Sequence, residues 1–242
     1  MKPADLLLEI RTFCQTHANE EVARKSQRYF KEEFIGYGLT SPQVTGKVRE
    51  MLGRKELDLP LVLETMPLLI ESGKYEETSF GLLLINGFSK FYAPSTFVEI
   101  SGWFAKGIHN WAHADTLGMF ILPKFLQRNI VPVDAFLPWK NSGYKFQRRC
   151  VPVTLIKSLK TAGNFIPLFI FIEPLMLDKE REVHQGVGWF LREAWKKRKE
   201  ETEEFLLKWK DTAPRLIFQY ACEKMTAEEK SRFRKVKFKM EG

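Results

Sequence analysis

Apolar residues recur at helical spacing along the whole of this chain, and the strict alternation of a half-buried strand is almost absent. Val183, Val187, Phe190, Leu191 and Ala194 show the pattern most plainly, falling at i, i+4, i+7, i+8 and i+11. Breakers separate such stretches, among them Gly36-Tyr37-Gly38, Ser72-Gly73, Ala93-Pro94-Ser95, Asn141-Ser142-Gly143 and Ala213-Pro214. The pattern predicts an all-α fold of about a dozen helices of ordinary length, with starts near Ser41-Pro42 and Ser95. Loops this short favour antiparallel neighbours. Successive helices are therefore expected to pair into hairpins of roughly 35 to 45 residues that stack as an α-solenoid of HEAT-like repeats. A compact irregular bundle is the alternative. No low-complexity linker interrupts the 242 residues, so residues 1–242 are expected to form a single domain.

With 44% hydrophobic and 28% charged residues, the chain has the apolar content for a full core, and disorder and collagen-like repeats are excluded. Cys14, Cys150 and Cys222 are odd in number and lack any CxxC pair, so neither a disulfide framework nor a zinc ribbon is encoded. A reducing, cytoplasmic location fits. The opening Met1-Lys2-Pro3-Ala4-Asp5 does not read as a secretory signal. The longest greasy stretch, 165–177, is broken by Pro167, Glu173 and Pro174 and falls short of the ~20 residues a membrane helix needs. No membrane partner is expected.

The net charge of +8 points to an anionic partner. Lys124, Arg128, Lys140, Lys145, Arg148, Arg149, Lys157 and Lys160 crowd one stretch against the single acid Asp134. The Lys196-Lys197-Arg198-Lys199 run, followed by Glu200, Glu201, Glu203 and Glu204, reads as a solvated helix boundary. The basic tail from Arg232 to Lys239 is at least as well explained as a frayed, solubilising end. Trp103, Trp111, Trp139, Phe146, Trp189 and Trp195 lie in or near the basic middle, and for any one of them core packing is the favoured reading.

His109 and His113 have an i, i+4 spacing that can hold zinc, but the second position is Asn110 and no third ligand follows. A cap and a surface residue are the expected roles, with no metal and no cofactor. No GxGxxG, GxxxxGK[ST] or GxSxG motif occurs. Trp111 and Asp115 share a helix face, while Leu117, Phe120 and Ile121 are expected in the core. Trp189, Arg192 and Lys196 lie opposite Val183 and Val187. Burial against the next repeat and a functional role explain such a tryptophan about equally well.

Three segments then resemble the motifs of the AlkD-type DNA alkylation repair glycosylases, in the same order and at similar spacing. They are Asn110-Trp111-Ala112-His113-Ala114-Asp115, Phe146-Gln147-Arg148-Arg149-Cys150 and Gly188-Trp189-Phe190-Leu191-Arg192-Glu193. Ser26 to Lys31 with Phe34 to Pro42, and Pro214 to Lys224, resemble that family's opening and closing elements. The resemblance implies HEAT-like repeats with a concave basic groove, and excision of N3- and N7-alkylated purines from double-stranded DNA by a monomer without a cofactor. It implies a lesion site of Asp115, Trp111 and Trp189. Arg149, or Arg148 if the register shifts by one, would face the DNA backbone. Tyr29 and Arg192 would be further contacts, and Lys145 and Lys157 of the basic stretch are added to them. Phe146 stands where the family has Trp, and Pro152 is expected to free a carbonyl and bend its helix.

The implied chemistry is economical. An N3- or N7-alkylated purine is already cationic and leaves without a general acid. One fixed carboxylate, Asp115, can stabilise the charge that moves onto the deoxyribose while orienting a water. The indole faces of Trp111 and Trp189 would each attract the cation by about 0.5 to 2 kcal/mol. The family holds its lesion in the duplex rather than flipping it. A non-catalytic DNA-binding relative and a protein-binding helical scaffold are the competing classes.

Overall fold

A computed structural model of the chain describes residues 1–31 and 33–235. The described residues contain fifteen α-helices, short 3-10 turns and one π-helical turn, and no strand. The packing divides into two units, Met1–Val131 and Pro132–Gly242. No helix among the described residues is long and apolar enough to cross a membrane.

The first unit contains α1 (Pro3–Thr16), α2 (Glu20–Gln27), α3 (Ser41–Leu52), α4 (Leu59–Glu71), α5 (Tyr75–Gly87), α6 (Pro94–Lys106), α7 (Trp111–Thr116) and α8 (Leu122–Gln127). Proline in the first turn opens α1, α3, α4 and α6, where its missing N–H costs nothing. The Asn19, Asp58 and Asn110 side chains accept the orphan N–H groups of Val22, Leu61 and His113. The starts of α3 and α6 fall slightly before the expected caps: Thr40 and Ala93 are the N-cap residues. Helices α1, α4 and α6 pack in sequence, α3, α5 and α7 do likewise, and α4 joins the two rows through α5. Leu6, Ile10, Met51, Met66, Phe80 and Trp103 are wholly buried in this unit.

Between α7 and α8 the chain makes a π-helical turn, Leu117–Ile121. Pro123 follows immediately and has no N–H to give the Met119 carbonyl, a local cause for the widened turn. A π turn changes the phase of every side chain after it. Leu117 and Ile121 are buried as expected, but Phe120 is rotated outward and is 53% exposed, correcting its core assignment.

The second unit contains α9 (Leu137–Lys140), α10 (Lys145–Ser158), α11 (Ile166–Ile172), α12 (Arg181–Trp195), α13 (Lys199–Trp209), α14 (Arg215–Ala221) and α15 (Ala227–Ser231). Helix α12 is its spine, packed on α10 and on α14. Two glycines allow this. A Cβ at Gly186 would sit 3.2 Å from Arg149 Cγ and 3.5 Å from Pro152 Cγ, on the α10 side. One at Gly188 would lie 2.7 Å from the Ile217 carbonyl oxygen and 2.5 Å from Tyr220 Cβ, on the α14 side. Residues two apart in a helix face nearly opposite ways, so the pair lets α12 be clasped from both sides. Helix α10 continues across Pro152.

The lysine-rich run lies at the expected helix boundary, with Lys196 capping α12 and Lys199 opening α13. Of the basic tail, residues 236–242 lie outside the described residues. Gly188→Ala should lower stability by about 1 to 3 kcal/mol, because backbone rather than a flexible side chain blocks the methyl. Gly102→Ala, in an open position of α6, should be neutral or stabilising. Equal melting shifts in the two variants would refute the close-approach account.

Candidate functional site

Helix α7 begins with a lock around His113. The Asn110 Oδ1 accepts the His113 backbone N–H at 2.9 Å, and the Asn110 amide nitrogen lies 2.8 Å from His113 Nδ1. His113 Nε2 is 3.0 Å from the Tyr75 carbonyl, which can only accept. The proton therefore belongs on Nε2, and Nδ1 accepts from Asn110. Burial pushes this imidazole down to about 4, against the opposing pull of the Tyr75 carbonyl. It is neutral at physiological pH and stacks on the Tyr75 ring at 4.7 Å. This corrects the expectation for the histidine pair. His109 is exposed before the helix, the cap is Asn110, and His113 is buried with both ring nitrogens engaged. Among the described residues no three His, Cys, Asp or Glu side chains gather as a metal site.

The lock fixes Trp111, the first residue of α7. Its indole N–H donates to the Tyr29 carbonyl at 3.0 Å, and its ring stacks on Phe30 at 5.7 Å and 24° while remaining 39% exposed. The seat is itself tied down. The Gln27 amide donates to the Phe30 carbonyl at 3.2 Å and accepts the Phe34 N–H at 2.6 Å. Asp115 lies one turn below Trp111 on α7 and is half-buried. Tyr29 projects its ring into solvent, 66% exposed, with the Arg28 guanidinium 5.9 Å from its centroid.

In the second unit Trp189 is half-buried on α12, next to Gly188. Arg192 pairs with Glu193 at 3.2 Å and with Glu223. Burial works to raise the Glu193 carboxyl, but Lys196 and Arg192 hold it below its ordinary range. Arg148 makes a two-pronged pair with Asp178 at 2.6 and 3.2 Å and donates to the Ser142 carbonyl at 2.6 Å. Arg149 donates to the Glu182 carbonyl at 2.7 Å. Both arginines are buried, at 7% and 6% exposure, so neither guanidinium is turned out to solvent as a groove-facing role requires. The cause is the clasp of α10 against α12. Lys145 pairs with Glu182 at 3.0 Å, and Lys157 is partly exposed on α10. Trp103, Trp139, Trp195 and Phe146 are buried in their units, as core packing predicts.

One cluster had no signal in the motifs. Glu76 accepts the backbone N–H groups of Tyr37 (2.8 Å), Gly38 (2.8 Å) and Leu39 (3.1 Å). Its neighbour Glu77 takes two bonds from Arg11, at 2.9 and 3.0 Å, and one from the Tyr37 hydroxyl at 2.7 Å. The Gly36-Tyr37-Gly38 breaker marked the loop, while the carboxylates that hold it lie almost forty residues onward.

A family model described as DNA alkylation repair enzyme matches residues 10–225. A solved structure, a predicted DNA alkylation repair enzyme from Enterococcus faecalis, superposes with a TM-score of 0.72 at 16% identity, over 87% of this chain and 98% of that one. The likeness is one of fold. No curated protein matches in sequence. With the family model spanning most of its length, the chain belongs to the DNA alkylation repair enzyme family.

Proposed function

We propose that the protein is a DNA glycosylase that hydrolyses the N-glycosidic bond of N3- and N7-alkylated purines in double-stranded DNA, as the first step of base excision repair. The observation that carries this reading is the pairing on α7 of a pinned, half-open indole, Trp111, with a carboxylate one turn away, Asp115. A cationic base needs no acid to leave, so a single carboxylate and electron-rich rings suffice. Trp189 is assigned the second ring face and Asp115 the carboxylate beside the developing sugar cation. A stack of HEAT-like hairpins carrying a basic groove fits the alternation of helices within each unit, and the protein is taken to act as a monomer without a cofactor.

The proposed DNA contacts are Tyr29, Lys145, Lys157, Arg192, Arg148 and Arg149. The last two would have to exchange Asp178 and the Glu182 carbonyl for phosphate, so their replacement would also disturb the fold. Incubation with duplex containing 7-methylguanine should release free base in excess of the spontaneous rate. Duplex affinity should fall steeply as salt rises, because phosphate contacts release counterions. Salt-dependent binding without base release would favour a non-catalytic relative, and salt-independent or absent binding would favour a protein-binding scaffold.

A further inference from the structure

In the second unit, the basic segment after α15 is anchored where a frayed end was expected. Phe233 is wholly buried, with its ring 6.4 Å from that of Phe218. Its carbonyl accepts from the Arg215 guanidinium at 2.7 Å, and the preceding Arg232 pairs with Glu203. Between this segment, α14 and α15 opens a cleft of ≈ 310 Å³. That volume is in the range of small-molecule sites, about 300 to 1,000 Å³.

Its charged lining residues are all cations: Arg215 at the start of α14, Lys230 in the last turn of α15, and Arg234. No carboxylate lines it, and the acids of the surrounding chain are taken by cations outside it. Glu203 pairs with Arg232, Glu223 with Arg192 and with Lys224 at 2.9 Å, and Glu229 with Lys199 at 3.2 Å. The Cys222 thiol also lines the cleft and adds no negative charge, because burial pushes it up to about 11 against the pull of Arg215 and Lys230. Like charges gathered without a counter-ion repel one another, and an anion among them removes that cost.

Arg215 is already oriented for such an anion. The Phe233 carbonyl holds one arm of its guanidinium, which lies 4.9 Å from the Phe218 ring centroid, and the rest of the planar fork is left for oxygen ligands. Lys230 reaches only the Glu223 carbonyl, at 3.5 Å, and Arg234 makes no side-chain hydrogen bond or ion pair among the described residues. We infer that this cleft binds a phosphate group through the side chains of Arg215, Lys230 and Arg234. None of the three is among the DNA contacts proposed above, so the site goes beyond that reading and does not rest on it. A phosphate can reach it from two sources: a DNA strand lying against the second unit, or a small phosphate in solution.

Calorimetric titration of the whole chain with inorganic phosphate, at constant ionic strength and with chloride as the control, tests the site. Phosphate should bind where chloride does not, and Lys230→Gln with Arg234→Gln should weaken it roughly tenfold, about threefold for each exposed charge. Both side chains are exposed and neither holds the fold together, so the melting temperature should stay put. The source is read from duplex binding by the same double variant. A slope of log affinity against log salt that is shallower by about 1 to 2 assigns the phosphate to a DNA strand. An unchanged slope beside weakened phosphate binding assigns it to a small phosphate. Phosphate binding no better than chloride, or equal phosphate affinity in the double variant, would overturn the site whatever the duplex does. The phosphate titration is independent of base release, so it stands or fails separately from the glycosylase reading.

Discussion

Asp115→Asn should slow release of 7-methylguanine from duplex DNA by roughly 100- to 1000-fold, or about 3 to 4 kcal/mol, while leaving folding and duplex binding intact. The substitution keeps shape and hydrogen-bonding capacity and removes only the charge. As the glycosidic bond breaks, positive charge appears on the deoxyribose, and a fixed carboxylate stabilises that state more than the ground state. Asp115 lies on α7, whose first turn is held by Asn110 and His113 and whose first indole is pinned on Tyr29 and Phe30. Trp189→Ala should give a smaller defect, larger for cationic than for neutral lesions, because a ring face favours charge and simple packing does not. Single-turnover release with melting curves as a folding control decides the matter. Rates like the unmodified protein in a folded Asp115→Asn chain would make Asp115 an ordinary helix carboxylate.

Helical periodicity carried the fold class because it is a local property, repeated at every turn and interrupted by breakers such as Ser72-Gly73 and Ala93-Pro94-Ser95, while the caps Asn110 and Asp58 emerged only in the structure. The grouping of Trp111 with Asp115 was legible for the same reason, since both lie on one short helix. What periodicity could not show is where the period itself breaks. The π turn before Pro123 turns Phe120 out to solvent, and no spacing rule for a regular helix anticipates it. Long-range pairing was equally hidden. Arg148 looks like a surface cation in sequence, and only folding brings Asp178 to it across thirty residues. His113 reads in sequence as a cap or a surface residue, and only folding buries it with Tyr75 and Asn110 at its two nitrogens.

Glu76→Ala should cost about 3 to 5 kcal/mol, the largest loss of stability expected of any single substitution considered for this chain. Each of its three backbone bonds reaches an ionised acceptor, worth about 1.5 to 3 kcal/mol singly and less than additive together. The loop cannot readily find substitutes. Gly38 stands at φ +80 with its N–H buried, and a Cβ there would meet the Asn19 carbonyl oxygen at 2.1 Å, so the turn has little room to move. Melting should fall by roughly 10 °C, since each kcal/mol moves a chain of this size by about 2 to 4 °C. Glu76→Gln keeps one acceptor oxygen and should lose less.

Acid should act on the adjoining carboxylate. Burial works to raise the Glu77 carboxyl, but bonds from Arg11 and Tyr37 hold it below the usual carboxylate range. A carboxyl depressed on folding contributes stability that is complete above its unfolded value, about 4.3, and is lost as pH falls through its folded value. Stability of the unmodified protein should therefore decline below about pH 4, and Glu77→Gln should flatten that decline while lowering stability at neutral pH. Hydrogen exchange at the amides of Tyr37, Gly38 and Leu39 should quicken in Glu76→Ala before global unfolding. A Glu76→Ala chain that melts within about 1 kcal/mol of the original, with those amides still protected, would show that the loop is held by something other than this carboxylate.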